Sequence, residues 1–307
     1  MRVLITGGRG MVGRNLIAHA SAGQYDILSP DRKALDLTDY AQVEDYLSRE
    51  KPDIVIHLAG RVGGIQANIR EPVAFLADNL DIGRNLVLAA HSVGVERLIN
   101  LGSSCMYPRE ASNPLRESMI LTGTLEPTNE GYALAKIVVS RLCMYVNQQY
   151  PNRHYKTLIP CNVYGYFDKF DPAHSHLVPA LIHKIHCAVQ NGDKTVEIWG
   201  SGEARREFLF ASDLADCIWR AVSHFDTLPE LMNVGLGTDY TINEYYAAVA
   251  EVVGFSGLFS HDLDRPVGMM QKLVDSSVAT DWGWQSKTPL KDGVRQTYEH
   301  YLKEQMT

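Results

Sequence analysis

Nothing in the 307 residues resembles a membrane span: no stretch approaches the about 20 consecutive apolar side chains that cross a bilayer. No block of basic residues is present either. Lys and Arg number 29 against 36 Asp and Glu, for a net charge of -7, which argues against nucleic acid as a partner. Cysteine is scarce. Cys105, Cys143, Cys161, Cys187 and Cys217 are scattered with no C-x-x-C pair, which fits free thiols in a reducing cytoplasm and leaves no zinc cluster. Residues 1–7 already read as a buried strand and turn, with no charged leader or apolar core before them, so no signal peptide is expected. Repeats and low-complexity linkers are missing. What remains is 45% hydrophobic and 21% charged, the balance of a globular enzyme with a substantial core.

The most informative stretch is Tyr132-Ala133-Leu134-Ala135-Lys136, preceded by Gly102-Ser103-Ser104-Cys105-Met106-Tyr107. Residues four apart share a helix face, so Tyr132 and Lys136 are expected side by side. An ammonium beside a phenol favours the phenolate, so the Tyr132 pKa is expected to fall toward neutrality, where the phenol can pass a proton. The Ser103 hydroxyl would hold a substrate oxygen against that phenol. Alone the pair is common; its place after a glycine-rich loop and a strand ending in Ser gives it meaning.

Residues 2–6 read as a short strand, followed by Gly7-Gly8-Arg9-Gly10-Met11-Val12-Gly13 and a helix to about residue 19. Gly7 permits the tight turn, Gly10 lets backbone approach a pyrophosphate and Gly13 lets helix and strand pack closely. The pyrophosphate would rest on the helix N-terminus. The second strand, 25–28, ends at Ser29 with Arg32 close behind, which favours a 2'-phosphate and hence NADP. Asp36 and Leu37 are placed to touch the adenine edge. A third strand runs over 53–58, and the small residues Ala59 and Gly60 after it let a cofactor pass close.

Further helices are expected over 72–91 and 132–149, the second apolar on more than one face, which suggests a second copy of the chain as partner. Strands are expected at 97–101 and 156–159; beyond them the strand–helix alternation breaks. A polar loop at 168–176, a helix at 178–189, a strand at 196–199, a helix capped by Ser212 and Asp213, and a helix opened by Thr241 and Glu244 follow. His183 and His186 are three apart on a helix but have no third metal ligand in sight, so no metal is expected. The whole reads as α/β: a Rossmann-type doubly wound parallel sheet with a smaller mixed α/β C-terminal lobe. Residues 1–165, with 207–236 returning, would bind dinucleotide; 166–206 and 237–307 would form the substrate lobe.

Together these motifs resemble the extended short-chain dehydrogenase/reductase superfamily. Gly10 to Gly13, Arg61 to Ile65, Leu101 to Pro108, Leu125 to Glu130, Ser175 to Leu181 and Trp199 to Gly202 are similar, in combination, to the GDP-L-fucose synthase family. That family consists of bifunctional 3,5-epimerases and 4-reductases acting on GDP-4-keto-6-deoxy-mannose. The resemblance implies Ser103, Tyr132 and Lys136 as the reductase triad and Cys105 and His176 as epimerisation base and acid. It implies further cofactor contacts from Met11, Val12, Leu58, Lys136, Pro160, Asn162, Val163 and His176. Asn162, Lys184, Trp199, Arg206 and Lys272 would line the nucleotide-sugar pocket. Residues 265–272 depart from the family: where it often has Lys-Pro-Asp-Gly-Thr-Pro-Arg-Lys, this chain has Val267 at the acidic position and Met269-Met270-Gln271 before Lys272.

A 4-ketone acidifies the hydrogens on C3 and C5, so one base and one acid on opposite ring faces can invert both centres through an enolate. In related dehydratases the positions of Ser104 and Cys105 carry Asp and Glu; Ser104 cannot do that acid work, which argues against a dehydratase. A thiol suits reversible proton transfer if its pKa is held near neutrality, so the Cys105 pKa is expected there. The leading expectation is an NADP-dependent epimerase-reductase. A reductase or 5-epimerase-reductase of a neighbouring GDP-sugar, colitose-type or heptose, is the alternative.

Overall fold

The computed structural model describes residues 1–171, 175–264 and 269–305. Short, nearly continuous apolar runs form the strands of its main sheet: β1 (Arg2–Thr6), β2 (Asp26–Leu28), β3 (Ile54–His57), β4 (Arg97–Leu101), β5 (His154–Pro160) and, far along the chain, a last edge strand at Leu231–Val234. All neighbours are parallel, and the order places that late strand outside β5, then β4, β3, β1 and β2. Runs such as Val3-Leu4-Ile5 and Ile54-Val55-Ile56 are fully buried because both faces of a parallel sheet are covered.

Alternation along the strands divides the side chains between two cores. Val3, Ile5, Ile54 and Ile56 pack with Leu16 of α1 (Met11–Ala18). Leu4 and Val55 face α2 (Tyr40–Glu50), α4 (Pro72–Ser92) and α5 (Glu130–Gln149) through Val43, Leu47, Leu86 and Val139, with α3 (Ile65–Arg70) preceding α4. Helices α4 and α5 cross closely at Gly83, where a Cβ would come within 2.3 Å of the Val139 side chain.

After β5 the chain leaves the sheet. It forms β6 (Asn162–Tyr164), α6 (Leu177–Asn191), β7 (Thr195–Trp199), β8 (Arg205–Arg206), β9 (Phe208–Phe210) and α7 (Ala211–Ser223), then the edge strand β10 (Leu231–Val234). The remainder is β11 (Tyr240–Thr241), α8 (Ile242–Val253), β12 (Leu258–Asp262), β13 (Gln271–Lys272), α9 (Ser277–Asp281) and α10 (Leu290–Gln305). These elements build a second core of Ile182, Ile185, Phe208, Tyr245 and Val249, with small sheets β11-β8-β13, β12-β7 and β6-β9. The architecture is the doubly wound α/β fold with a smaller mixed lobe.

One local expectation is corrected. The 211–223 helix is not capped by Ser212 and Asp213, which lie inside its first turn; Phe210 is the cap residue and makes no side-chain cap bond. Asp213 instead accepts hydrogen bonds from Ser286, Lys287 and Thr288, clasping the segment that leads into α10. By contrast, Thr241 and Glu244 do form a reciprocal capping box on α8. Among the described residues no helix is long and apolar enough to cross a membrane.

Candidate active site

The strand order reverses between β1 and β3, a switch point at whose carboxyl ends doubly wound sheets bind ligands. Gly7 follows β1 with φ +73, and a Cβ there would come within 2.7 Å of the Ala59 amide. A Cβ on Gly13 would come within 2.4 Å of the Gly7 carbonyl, and one on Gly8 within 1.9 Å of Ser29 Oγ. Only glycine fits this loop. No side chain caps the N-terminus of α1 at Gly10, so the first-turn N–H groups of Met11 and Val12 point outward unclaimed by a cap. Such a cradle fits the pyrophosphate of a nicotinamide dinucleotide.

At the end of β2 the Asp31 carboxylate accepts from the amides of Lys33 and Ala34 and pairs with Arg9 at 2.7 Å. Arg32 stands 82% exposed, 4.0 Å from Asp36. Two guanidiniums, Arg9 paired with Asp31 and Arg32 near Asp36, thus stand close to the end of β2; Arg9 escapes sequence reading because it sits inside the glycine loop. Asp36 accepts from the Thr38 amide and hydroxyl, which hold its carboxyl low. The Leu37 side chain is buried in the core and its carbonyl accepts from Asn85, so only Asp36 of this pair is open at its side chain.

Past β3, the Leu58 amide donates to the Thr6 carbonyl. Gly60 lies so close to Asn79 Oδ1 that a Cβ would come within 2.8 Å, and 3.8 Å from Lys136 Nζ. Asn79 also accepts from the Arg61 amide and donates to the Arg61 carbonyl, fixing the backbone after Gly60. Pro160 ends β5, and the Asn162 amide side chain donates to the Glu207 carbonyl while Val163 packs on the sheet core.

Ser103, Cys105, Tyr132 and Lys136 converge beyond β4. Lys136 Nζ donates to the Leu101 carbonyl at 2.9 Å and lies 5.8 Å from the centre of the Tyr132 ring. Burial pulls its pKa down to about 8. The Tyr132 phenol is held well above its ordinary value, first by burial and then by the Cys105 thiol, with Ser103 opposing. The expected lowering of the phenol by Lys136 is thus not what this structure holds: desolvation outweighs the cation, whose ammonium is spent on a carbonyl. Cys105 is also pushed up by burial, opposed by Lys272, Ser103 and Lys136 in that order.

Lys272 and Arg206 are neighbours across β13 and β8. The strand carrying Lys272 is clamped on its other side by residues 113–115: Asn113 bonds to Gln271 and Leu273, and Leu115 bonds to Leu273 and Asp275. Lys272 faces Cys105, so it belongs with the thiol. Glu207, missed in the sequence, holds this arrangement. Its buried carboxylate accepts from the Val274 and Gly237 amides, and desolvation raises it to about 7. Tyr107, two residues past Cys105, is anchored by its hydroxyl to buried Asn233.

The remaining expected residues lie on or at the start of α6 and on β7. Lys184 donates to the Glu197 carbonyl and lies 6.0 Å from the Tyr246 ring; Trp199 ends the same strand, β7, and is exposed. His176 caps α6 in extended conformation, half-buried, and burial followed by Lys169 pulls its pKa down. Among the described residues no hydrogen bond joins it to Cys105 or Tyr132. Val267 and its neighbours 265–268 lie outside the described residues. His183 and His186 bond through Nδ1 to the hydroxyls of Tyr301 and Tyr298, and no group of three metal-ligating side chains occurs among the described residues.

Fold and site define a nicotinamide-dependent enzyme of the short-chain dehydrogenase/reductase type. Residues 3–235 match the NAD dependent epimerase/dehydratase family, and the chain belongs to it. The resemblance to GDP-L-fucose synthases holds along the whole chain. The GDP-L-fucose synthase of Azorhizobium caulinodans is 52% identical, over 98% of this chain and 96% of that one. The GDP-L-colitose synthase of Yersinia pseudotuberculosis is 49% identical, over 99% of each chain. A solved structure, MlghC, a GDP-mannoheptose C4 reductase from Campylobacter jejuni with NADP bound, superposes with a TM-score of 0.89 at 31% identity, covering 98% of both chains.

Proposed function

We propose that the chain converts GDP-4-keto-6-deoxy-D-mannose to GDP-L-fucose, inverting C3 and C5 and reducing C4 with NADPH. One observation carries this reading: a buried thiol, Cys105, lies among Ser103, Tyr132 and Lys136 and faces Lys272. Reduction needs no thiol beside the ketone; epimerisation needs a base there.

Ser103 and Tyr132 donate hydrogen bonds to the C4 oxygen, where negative charge develops as a neighbouring carbon loses its proton. Cys105, whose thiol burial pushes up against the opposing pull of Lys272, takes that proton once it has given up its own, and His176 returns one from the opposite face. In the reductive step Tyr132 gives its proton to the C4 oxygen, and Lys136 stabilises the phenolate left behind. Gly7 to Gly13 would hold NADPH, with Arg9 and Arg32 at its 2'-phosphate, and bound there it would supply the hydride. Arg206 clamps the diphosphate in a fork of donors, with Lys184 and Trp199 farther out along the nucleotide.

A second reading is favoured by the 49% identity to a GDP-L-colitose synthase and by Val267 at the family's acidic position: a 5-epimerase-reductase of a 3-deoxy or heptose GDP-sugar. Turnover in D2O with NADPH and GDP-4-keto-6-deoxy-D-mannose separates the two. The expected product carries deuterium at C3 and C5 with both centres inverted, and Cys105→Ser abolishes exchange while still reducing an already epimerised 4-keto sugar. NADPH oxidation without inversion would overturn the main reading.

The same proposal includes a cytoplasmic homodimer. Val73 is 78%, Val138 45% and Tyr145 56% exposed, and with Leu76 and Leu134 they form an apolar stripe over α4 and α5 that a second copy would cover.

A further inference from the structure

Glu126 lies just before the short turn Pro127–Asn129 that leads into α5 and Tyr132. Its Oε1 accepts from the Thr128 amide at 3.4 Å and the Thr128 hydroxyl at 3.2 Å. Its Oε2 is buried and accepts no hydrogen bond; it is ion-paired with Arg109 Nε at 3.7 Å, a guanidinium that also pairs with Glu110 at 3.3 Å. Asn129, on the same turn, also has a buried Oδ1 with no partner. Two buried acceptors on one turn that receive no hydrogen bond are costly, and a ligand's donors would satisfy them.

The surroundings say which donors. The Glu126 carboxylate bears on both Arg206 and Lys272, and Lys272 in turn faces Cys105. A carboxylate repels a diphosphate, so this spot suits the sugar end of a nucleotide sugar. The hydrogen-bond donors a hexose ring offers there are its hydroxyls.

We propose that Glu126 is a specificity-determining residue: its open Oε2 accepts a hydroxyl hydrogen of the sugar ring and so fixes the ring beside Cys105 and Tyr132. The proposal rests on the GDP-sugar reading above. Pairing a hydroxyl with a charged acceptor strengthens the bond and confers discrimination against rings that lack it.

The test measures NADPH oxidation by wild type, Glu126→Gln, Glu126→Ala and Arg109→Gln. Its probes are GDP-4-keto-6-deoxy-D-mannose and the 3-deoxy counterpart of that sugar. Both Glu126 variants should lose about ten- to hundredfold in kcat/KM, the range for a charge-assisted bond. NADPH affinity and melting temperature should stay near wild type, as should the kcat/KM of Arg109→Gln. A loss confined to the 3-hydroxy substrate assigns the bond to the C3 hydroxyl; an equal loss on both assigns it to C2; either carries the proposal. Unchanged kcat/KM in both Glu126 variants overturns it, and so does a loss reproduced by Arg109→Gln or a weakened NADPH affinity. If wild type turns over neither sugar, the GDP-sugar reading itself fails and the proposal with it.

Discussion

At Tyr132 burial and charge pull in opposite directions. The free site holds the phenol protonated, as a proton donor must be before the hydride arrives, and keeps Lys136 poised at about 8. Tyr132→Phe should therefore remove most NADPH oxidation while leaving NADPH affinity nearly intact, as read by fluorescence titration against steady-state rates. The pH dependence follows from Lys136. Below about 8 it is an ammonium that can stabilise a phenolate; above, it is an amine that cannot. kcat/KM should fall as pH rises through that value, and a flat profile to pH 10 would remove Lys136 from the role. Stability should move the other way. Between about 8 and the ordinary 10.5 the unfolded chain keeps a proton the folded chain has lost, so this residue's contribution to stability rises with pH across that window.

Among the elements, the β1 loop and α1 are the most tightly specified. Gly13→Ala must displace the Gly7 carbonyl or α1 itself, since its Cβ would stand 2.4 Å from that oxygen. NADPH affinity should drop about tenfold or more, roughly 1.4 kcal/mol, with the second lobe's core unaffected. An affinity equal to wild type would show that the loop tolerates what its geometry forbids. This loop, β3, β4 and α5 were legible in sequence because their signals are local: apolar runs, glycine spacing, a Tyr and a Lys four apart. α2 was not, because only Val43 and Leu47 are buried in a mostly polar helix. Nor was the pairing of Lys272 with Cys105. It depends on β13 lying between β8 and residues 113–115, contacts that span more of the chain than any periodicity records. The phenol's direction was misread because a motif names a neighbouring charge but not the depth at which it is buried.

At the scale of the whole molecule, α4 and α5 leave Val73, Leu76, Leu134, Val138 and Tyr145 exposed. If these side chains form the proposed homodimer seam, Val138→Asp with Tyr145→Asp should give a folded monomer, seen as halved mass by light scattering. An unchanged mass would move the interface elsewhere. The edge strand β10 bears on a different property, the order in which the chain comes together. During synthesis β5 is complete at Pro160, yet its outer neighbour does not exist until Val234 has been made, after β6 to β9 and α6 and α7. Until then the nascent protein carries a parallel strand with a free row of N–H and C=O groups, a template for any other unfinished copy. The second lobe is therefore an obligatory detour in assembly, and a chain cut at its start would leave as its sheet margin the β5 strand that the full-length protein covers with β10.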